Sequence, residues 1–128
     1  MKKLILLFFA VLLLTACGQE TEKDQGAVYV NITAEEAKQI MDTEEGYIIL
    51  DVRTQEEYDQ GHIPGATQIS HEEIAEKAED VLTDKDQMIL VYCRSGRRSK
   101  IAAEALVELG YTNIREFGGI LDWSYEVE

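Results

Sequence analysis

Two apolar runs set the limits on how this chain can fold: YIILDV at 47–52 and MILVY at 88–92. Within neither do apolar and polar residues alternate, as they would in a strand with one wet face. A strand that is apolar on both sides must be covered on both faces, which is the situation of the central strands in a parallel sheet. Segments with helical spacing follow both runs, so the chain reads as an α/β domain with a mainly parallel central sheet flanked by helices on both faces. Ligands of such sheets bind beyond the carboxyl ends of the strands. Asp51 lies at the end of the first run and Cys93 directly follows the second. Parallel strands would therefore bring both residues to one edge.

The remaining elements fall around these two. VYVNI at 28–32 is a short strand, and Thr33 with Glu36 forms a capping box that opens a helix through about Asp42. Thr54 and Glu57 form a second capping box, which places a short helix over TQEEYDQ until Gly61 stops it. GHIPGA is a turn around the only proline, Pro64. A small strand is expected near Thr67–Ile69, then an acidic amphipathic helix from His71 to Val81. A further helix is expected from Ser99 to Leu109, with Ile101, Ala102, Ala105, Leu106 and Leu109 on its apolar face and Gly110 as its end. A last strand near Asn113–Glu116 and the segment FGGILDWSYEV close the domain, with Trp123 and Tyr125 read as core.

The first 27 residues are of another kind. Lys2 and Lys3 precede an apolar run from Leu4 to Leu14, which is followed by Thr15-Ala16-Cys17. Positive start, short apolar stretch and small residues mark a secretory signal peptide, and the stretch is shorter than the roughly 20 residues of a membrane span. LTAC resembles the lipobox of bacterial lipoproteins. That resemblance implies cleavage after residue 16, lipid chains on Cys17, and attachment to the outer face of the bacterial cell membrane. Residues 17–27 then form a lipidated, polar tether, and 28–128 the domain. Losing Lys2 and Lys3 and no acid takes the formal charge of −13 to −15, a surface that repels nucleic acid.

Against that charge, CRSGRRSK at 93–100 collects four of the chain's 12 cations. With Cys17 lipidated, Cys93 has no disulfide partner and reads as a reactive thiol. A loop between a buried strand and a helix start turns unpaired N–H groups inward, and Gly96 allows it to curl into an anion nest. A thiolate in that nest has a depressed pKa, strengthened by Arg94, Arg97, Arg98 and Lys100.

CRSGRRS, together with DVRTQEEYDQGHIPGA at 51–66 and GGILDW at 118–123, closely resembles the single-domain rhodaneses, in order and over nearly all of residues 28–127. The resemblance implies sulfur transfer. Cys93 would take a sulfane sulfur from an anionic donor such as thiosulfate or a persulfide, and would hand it to a thiol or cyanide. It further implies that the loop residues Arg94, Ser95, Gly96, Arg97 and Arg98 bind the donor, and that Asp51 and Arg53 support the site structurally. A non-enzymatic persulfide carrier or docking lipoprotein would need the same loop. The related phosphatases and arsenate reductases use a C-x5-R loop, whereas Arg98 is the fifth residue after Cys93, leaving a nest one residue smaller. His62 reads as a turn histidine supporting local structure and His71 as a solvated one. No metal, no cofactor and a monomer are expected.

Overall fold

The computed structural model describes residues 28–128. The expected signal peptide 1–16, the lipidation site Cys17 and the tether 18–27 lie outside the described residues. Five strands form one parallel sheet: β1 Val30–Asn31, β2 Ile48–Asp51, β3 Thr67–Gln68, β4 Ile89–Cys93 and β5 Ile114–Gly119, ordered β1-β5-β4-β2-β3. The helices are α1 Ala34–Thr43, α2 Gln55–Gln60, α3 Ile74–Val81 and α4 Arg97–Glu108. No helix among the described residues is long and apolar enough to cross a membrane.

The two apolar runs are the two middle strands, β2 and β4, paired from Ile48↔Ile89 to Asp51↔Tyr92. All five residues of β4 are buried, and their alternation divides them between two cores. Ile89, Val91 and Cys93 face α3 and α4 with Leu50, Ala102, Ala103 and Leu106, while Leu90 and Tyr92 face α1 and α2 with Ile49, Ala37, Ile63 and Phe117. Burying a single Leu or Ile side chain contributes about 1.5–3 kcal/mol, so a run apolar on both sides stabilises both layers at once. Asp51 and Cys93 do share the carboxyl edge, but their side chains lie on opposite faces of the sheet.

Both capping boxes form as the sequence indicates, Thr33 with Glu36 on α1 and Thr54 with Glu57 on α2. Other boundaries differ. The segment from His71 begins as a 3-10 turn, His71–Glu73, before α3. The His71 side chain is only 19% exposed rather than solvated. Helix α4 starts at Arg97 instead of Ser99, because Gly96 in a left-handed conformation (φ 110°) serves as its N-cap. Ile101, expected on the apolar face, is exposed. Strand β5 runs beyond Glu116 to Gly119, while β1 is confined to two residues. Tyr125, expected in the core, is exposed at the chain end and packs edge-on against the buried Trp123, ring centroids 4.9 Å apart.

After β2 the chain passes through α2 to β3 on one side of the sheet. After β4 it passes through α4 to β5 on the other. The two connections diverge above β2 and β4, at the switch point where this architecture leaves a crevice. A bidentate ion pair spans it: Arg98 of α4 donates to the Glu57 carboxylate of α2 at 2.6 and 2.9 Å. Hydrogen bonding from Arg98, helped by the Thr54 cap and opposed by partial burial, lowers Glu57 to about 2.

A carboxylate depressed in the folded state stabilises it above the unfolded value of about 4.3, and that contribution is lost as pH falls through the folded value. Glu57→Gln should therefore lower the urea midpoint at pH 7 and flatten its decline between about pH 4 and pH 2. A variant whose acid limb overlays the wild type would show that the pair adds no folding stability.

Candidate active site

The loop after β4 folds back over its own cysteine. Cys93 is fully buried and free of disulfide, and its Sγ accepts the Gly96 N–H at 3.0 Å and lies 3.4 Å from Ser99 Oγ. Burial pushes the thiol up. Hydrogen bonds from the Ser99 hydroxyl and from the amides of Ser99, Gly96 and Ser95 outweigh burial and hold it below its ordinary value. The nest inferred from sequence is therefore present, and its largest favourable contributions are loop donors rather than the arginines.

The cations occupy different places. Arg94 and Arg97 are exposed at the loop, as is Ser95, and Arg98 is half-buried in its bond to Glu57. Arg98 still feels the charge on Cys93, which raises the guanidinium further, but its donors are directed at the carboxylate. Of the three loop arginines expected to hold a donor, Arg94 and Arg97 are the ones with exposed guanidinium groups.

Asp51 and Arg53 meet as a buried pair. Arg53 Nε and Nη2 donate to the Asp51 carboxylate at 3.0 and 2.6 Å, the Arg53 backbone N–H donates to Oδ1 at 2.9 Å, and Tyr92 Oη donates to Oδ2 at 2.6 Å. Burial and the bond to Asp51 push the Tyr92 phenol far up, so it remains a donor. Arg53 Nη2 also donates to the Gly61 carbonyl, and the Ile63 N–H donates to Tyr92 Oη. This network ties the HIP turn to β2 and β4. Removing one partner of such a buried pair costs about 3–5 kcal/mol, because the other is left uncompensated. His62 stacks on Tyr58 with ring centroids 3.7 Å apart and lies 2.9 Å from the Tyr58 carbonyl through Nδ1. It supports the turn and stands away from the thiol's hydrogen bonds. Among the described residues no metal-ligand cluster of His, Cys, Asp and Glu occurs.

Three residues around the cysteine loop were not singled out as site residues in the sequence. Ser99 reads there as a helix start, whereas it sits in the first turn with its hydroxyl turned to Cys93 and to Glu116 Oε1, 2.6 Å away. Glu116 is 2% exposed in β5; beside Arg115 in the sequence it gives no local sign of its burial. Gly119 lies under the loop, where a Cβ would overlap the Arg94 carbonyl. That carbonyl also accepts the Leu121 N–H at 3.2 Å. The GG step thus lets the end of β5 press against the cysteine loop.

Residues 33–126 match the family described as a rhodanese-like domain. The chain is 41% identical over 73 residues to thiosulfate sulfurtransferase PspE of Escherichia coli, covering 57% of this chain and 70% of that protein. It is 35% identical over 112 residues to the putative sulfur carrier protein YrkF of Bacillus subtilis, covering 87% of this chain and 60% of the relative. Among solved structures it is similar to a rhodanese with anions from E. coli, at 36% identity and TM-score 0.60, covering 64% of this chain and 96% of that one. A rhodanese-related protein from Thermoplasma volcanium superposes at 31% identity and TM-score 0.68, over 78% and 98% of the two chains.

The order of contributions at the thiol is testable by its rate of alkylation against pH. Arg94→Gln and Arg97→Gln should leave the pH profile of Cys93 alkylation close to the wild type, and Ser99→Ala should raise the pH at which the thiol becomes reactive. A larger rise for either arginine variant than for Ser99→Ala would return the main role to the cations.

Proposed function

The chain belongs to the rhodanese-like domain family, and from that premise we propose that it moves a sulfane sulfur through a persulfide on Cys93. The observation that carries the reading is a buried thiol held below its ordinary value by donors converging from its own loop. In the first half-reaction the Cys93 thiolate attacks the outer sulfur of an anionic donor such as thiosulfate. The new S–S bond forms as the donor's S–S bond breaks, and sulfite leaves with the electron pair. In the second, an acceptor thiolate or cyanide attacks the outer persulfide sulfur, and Cys93 departs as thiolate. The double displacement gives ping-pong kinetics.

Arg94 and Arg97 draw the anion to the loop, an attraction that weakens with salt. The amides of Ser95, Gly96 and Ser99 receive the charge of the persulfide as they receive that of the thiolate. Gly96 permits this curl, since a left-handed N-cap at φ 110° suits glycine. The name of the Bacillus relative favours a second reading, in which the same persulfide is presented to a partner and turnover with free thiosulfate is slow. We further propose that the domain is held by lipid on Cys17 at the extracytoplasmic face of a bacterial membrane and acts there as a monomer; the LTAC sequence supports the anchor.

Brief treatment with thiosulfate should add about one sulfur to the intact mass, located on the Cys93 peptide, and cyanide should remove it as thiocyanate. Cys93→Ser should gain no sulfur. A wild type that also gains none from thiosulfate or from a low-molecular-weight persulfide would sink the sulfur-transfer reading, while loading without steady turnover would select the carrier.

Expression of Cys17→Ala in a bacterium fed labelled fatty acid checks the anchor separately. The label should be lost and the N-terminal segment retained, and a variant still carrying label would refute lipidation at Cys17.

A further inference from the structure

Sulfur transfer as outlined leaves one buried charge without a task. Glu116 projects from β5 into the seam beneath α4, and no ion pair among the described residues includes it. An ionised carboxylate out of water and without a cation is costly. Its Oε1 lies 2.6 Å from Ser99 Oγ and accepts the Gly118 N–H at 2.8 Å. Ser99 Oγ in turn lies 3.4 Å from Cys93 Sγ, 3.0 Å from the Gly96 carbonyl and 3.3 Å from the Gly118 carbonyl. Four acceptors thus surround a hydroxyl that owns one proton.

The arithmetic of that proton is decisive. An oxygen–oxygen contact of 2.6 Å requires a proton between the two atoms. With Glu116 and Cys93 both ionised, Ser99 would spend its proton on the carboxylate and turn a lone pair toward the thiolate. Ser99 can donate to the sulfur only if the proton in the short contact belongs to Glu116. A thiolate stabilised by Ser99 therefore calls for a neutral acid one step behind it.

We propose that Glu116 stores the Cys93 proton. When the thiol ionises, its S–H bond breaks, the Ser99 hydroxyl accepts that proton and passes its own on, and an O–H bond forms on the Glu116 carboxylate. No proton leaves the site and nothing is oxidised. Glu116 is a positioning residue: it reaches the sulfur only through Ser99, and it sets which way the hydroxyl points. The inference rests on the reading that Cys93 is the working thiol. The other ionisable groups around Glu116 are Tyr29 ahead of β1, Glu35 of α1, Lys100 of α4 and Asp122 after β5. The last three line, with Glu116, a cleft of about 370 Å³ that reaches Ser95 and Gly96. On the thiol side the facing cation is Arg98.

Two groups sharing one proton titrate as a pair, in two separated steps rather than one. In the full chain, the rate of Cys93 alkylation, located by peptide mass, should rise with pH in two shallow steps. Glu116→Gln keeps acceptors for Gly118 and Ser99 but cannot store a proton. It should give a single step, rising about tenfold per pH unit below its midpoint. Ser99→Ala should also give one step. Infrared difference spectra of the wild type, which need no variant to fold, should show a carboxylic-acid carbonyl band that responds to alkylation of Cys93 and is missing from Glu116→Gln. A wild type without such a band, or a Ser99→Ala protein that keeps the two-step profile, would overturn the proposal. Alkylation reads the thiol whether or not sulfur is transferred. A coupled titration in a protein that forms no persulfide would leave this inference standing and remove the sulfur-transfer reading alone.

Discussion

Cys93 has no exposed surface, yet the groups nearest its sulfur are donors. Burial alone would keep a thiol protonated; here it is outweighed, and the outcome depends on backbone geometry within one short turn. The left-handed Gly96 aims its N–H at the sulfur and at the same time begins α4. The helix start brings Ser99 back over the sulfur, and the glycines of β5 allow the last strand to lie against the loop. Fold and reactivity meet in a few residues, so a change in any of them is felt in both.

Much of the frame around that turn is legible in the sequence. YIILDV and MILVY are apolar on both sides because they are the two middle strands, and this is what places Asp51 and Cys93 at one edge. The capping boxes of α1 and α2 are legible because they are local chemistry, written within four residues. The start of α4 is hidden for the complementary reason. A glycine cap has no side chain to announce it, and Ser99 looks like a cap while serving the sulfur. Contacts that join distant segments are equally silent. Arg98 and Glu57 are 41 positions apart, and Ser99 and Glu116 are 17 apart. Each is an ordinary charged or polar residue until the sheet order sets them face to face.

The cation cluster illustrates how composition can mislead by being partly right. Four positive residues beside one thiol in an acidic chain suggest a field built to ionise it. In the folded protein one of the four closes the crevice by binding Glu57, and the other three, Arg94, Arg97 and Lys100, are exposed to solvent. The sulfur is served instead by amides and a hydroxyl, whose dipoles are fixed by the fold and need no long side chain to be ordered. Loop dipoles stabilise the anion, while the exposed arginines remain available to meet whatever approaches.

The two-residue length of β1 and β3 bears on how the molecule can associate. These are the outermost strands of the sheet, and each offers little backbone to a neighbouring chain. A long edge would act as a template on which further copies add strand by strand. Among the described residues such short margins leave little backbone on which a second copy could add a strand. Recognition of a protein partner is thereby left to side chains, among them the exposed Arg94 and Arg97 of the cysteine loop.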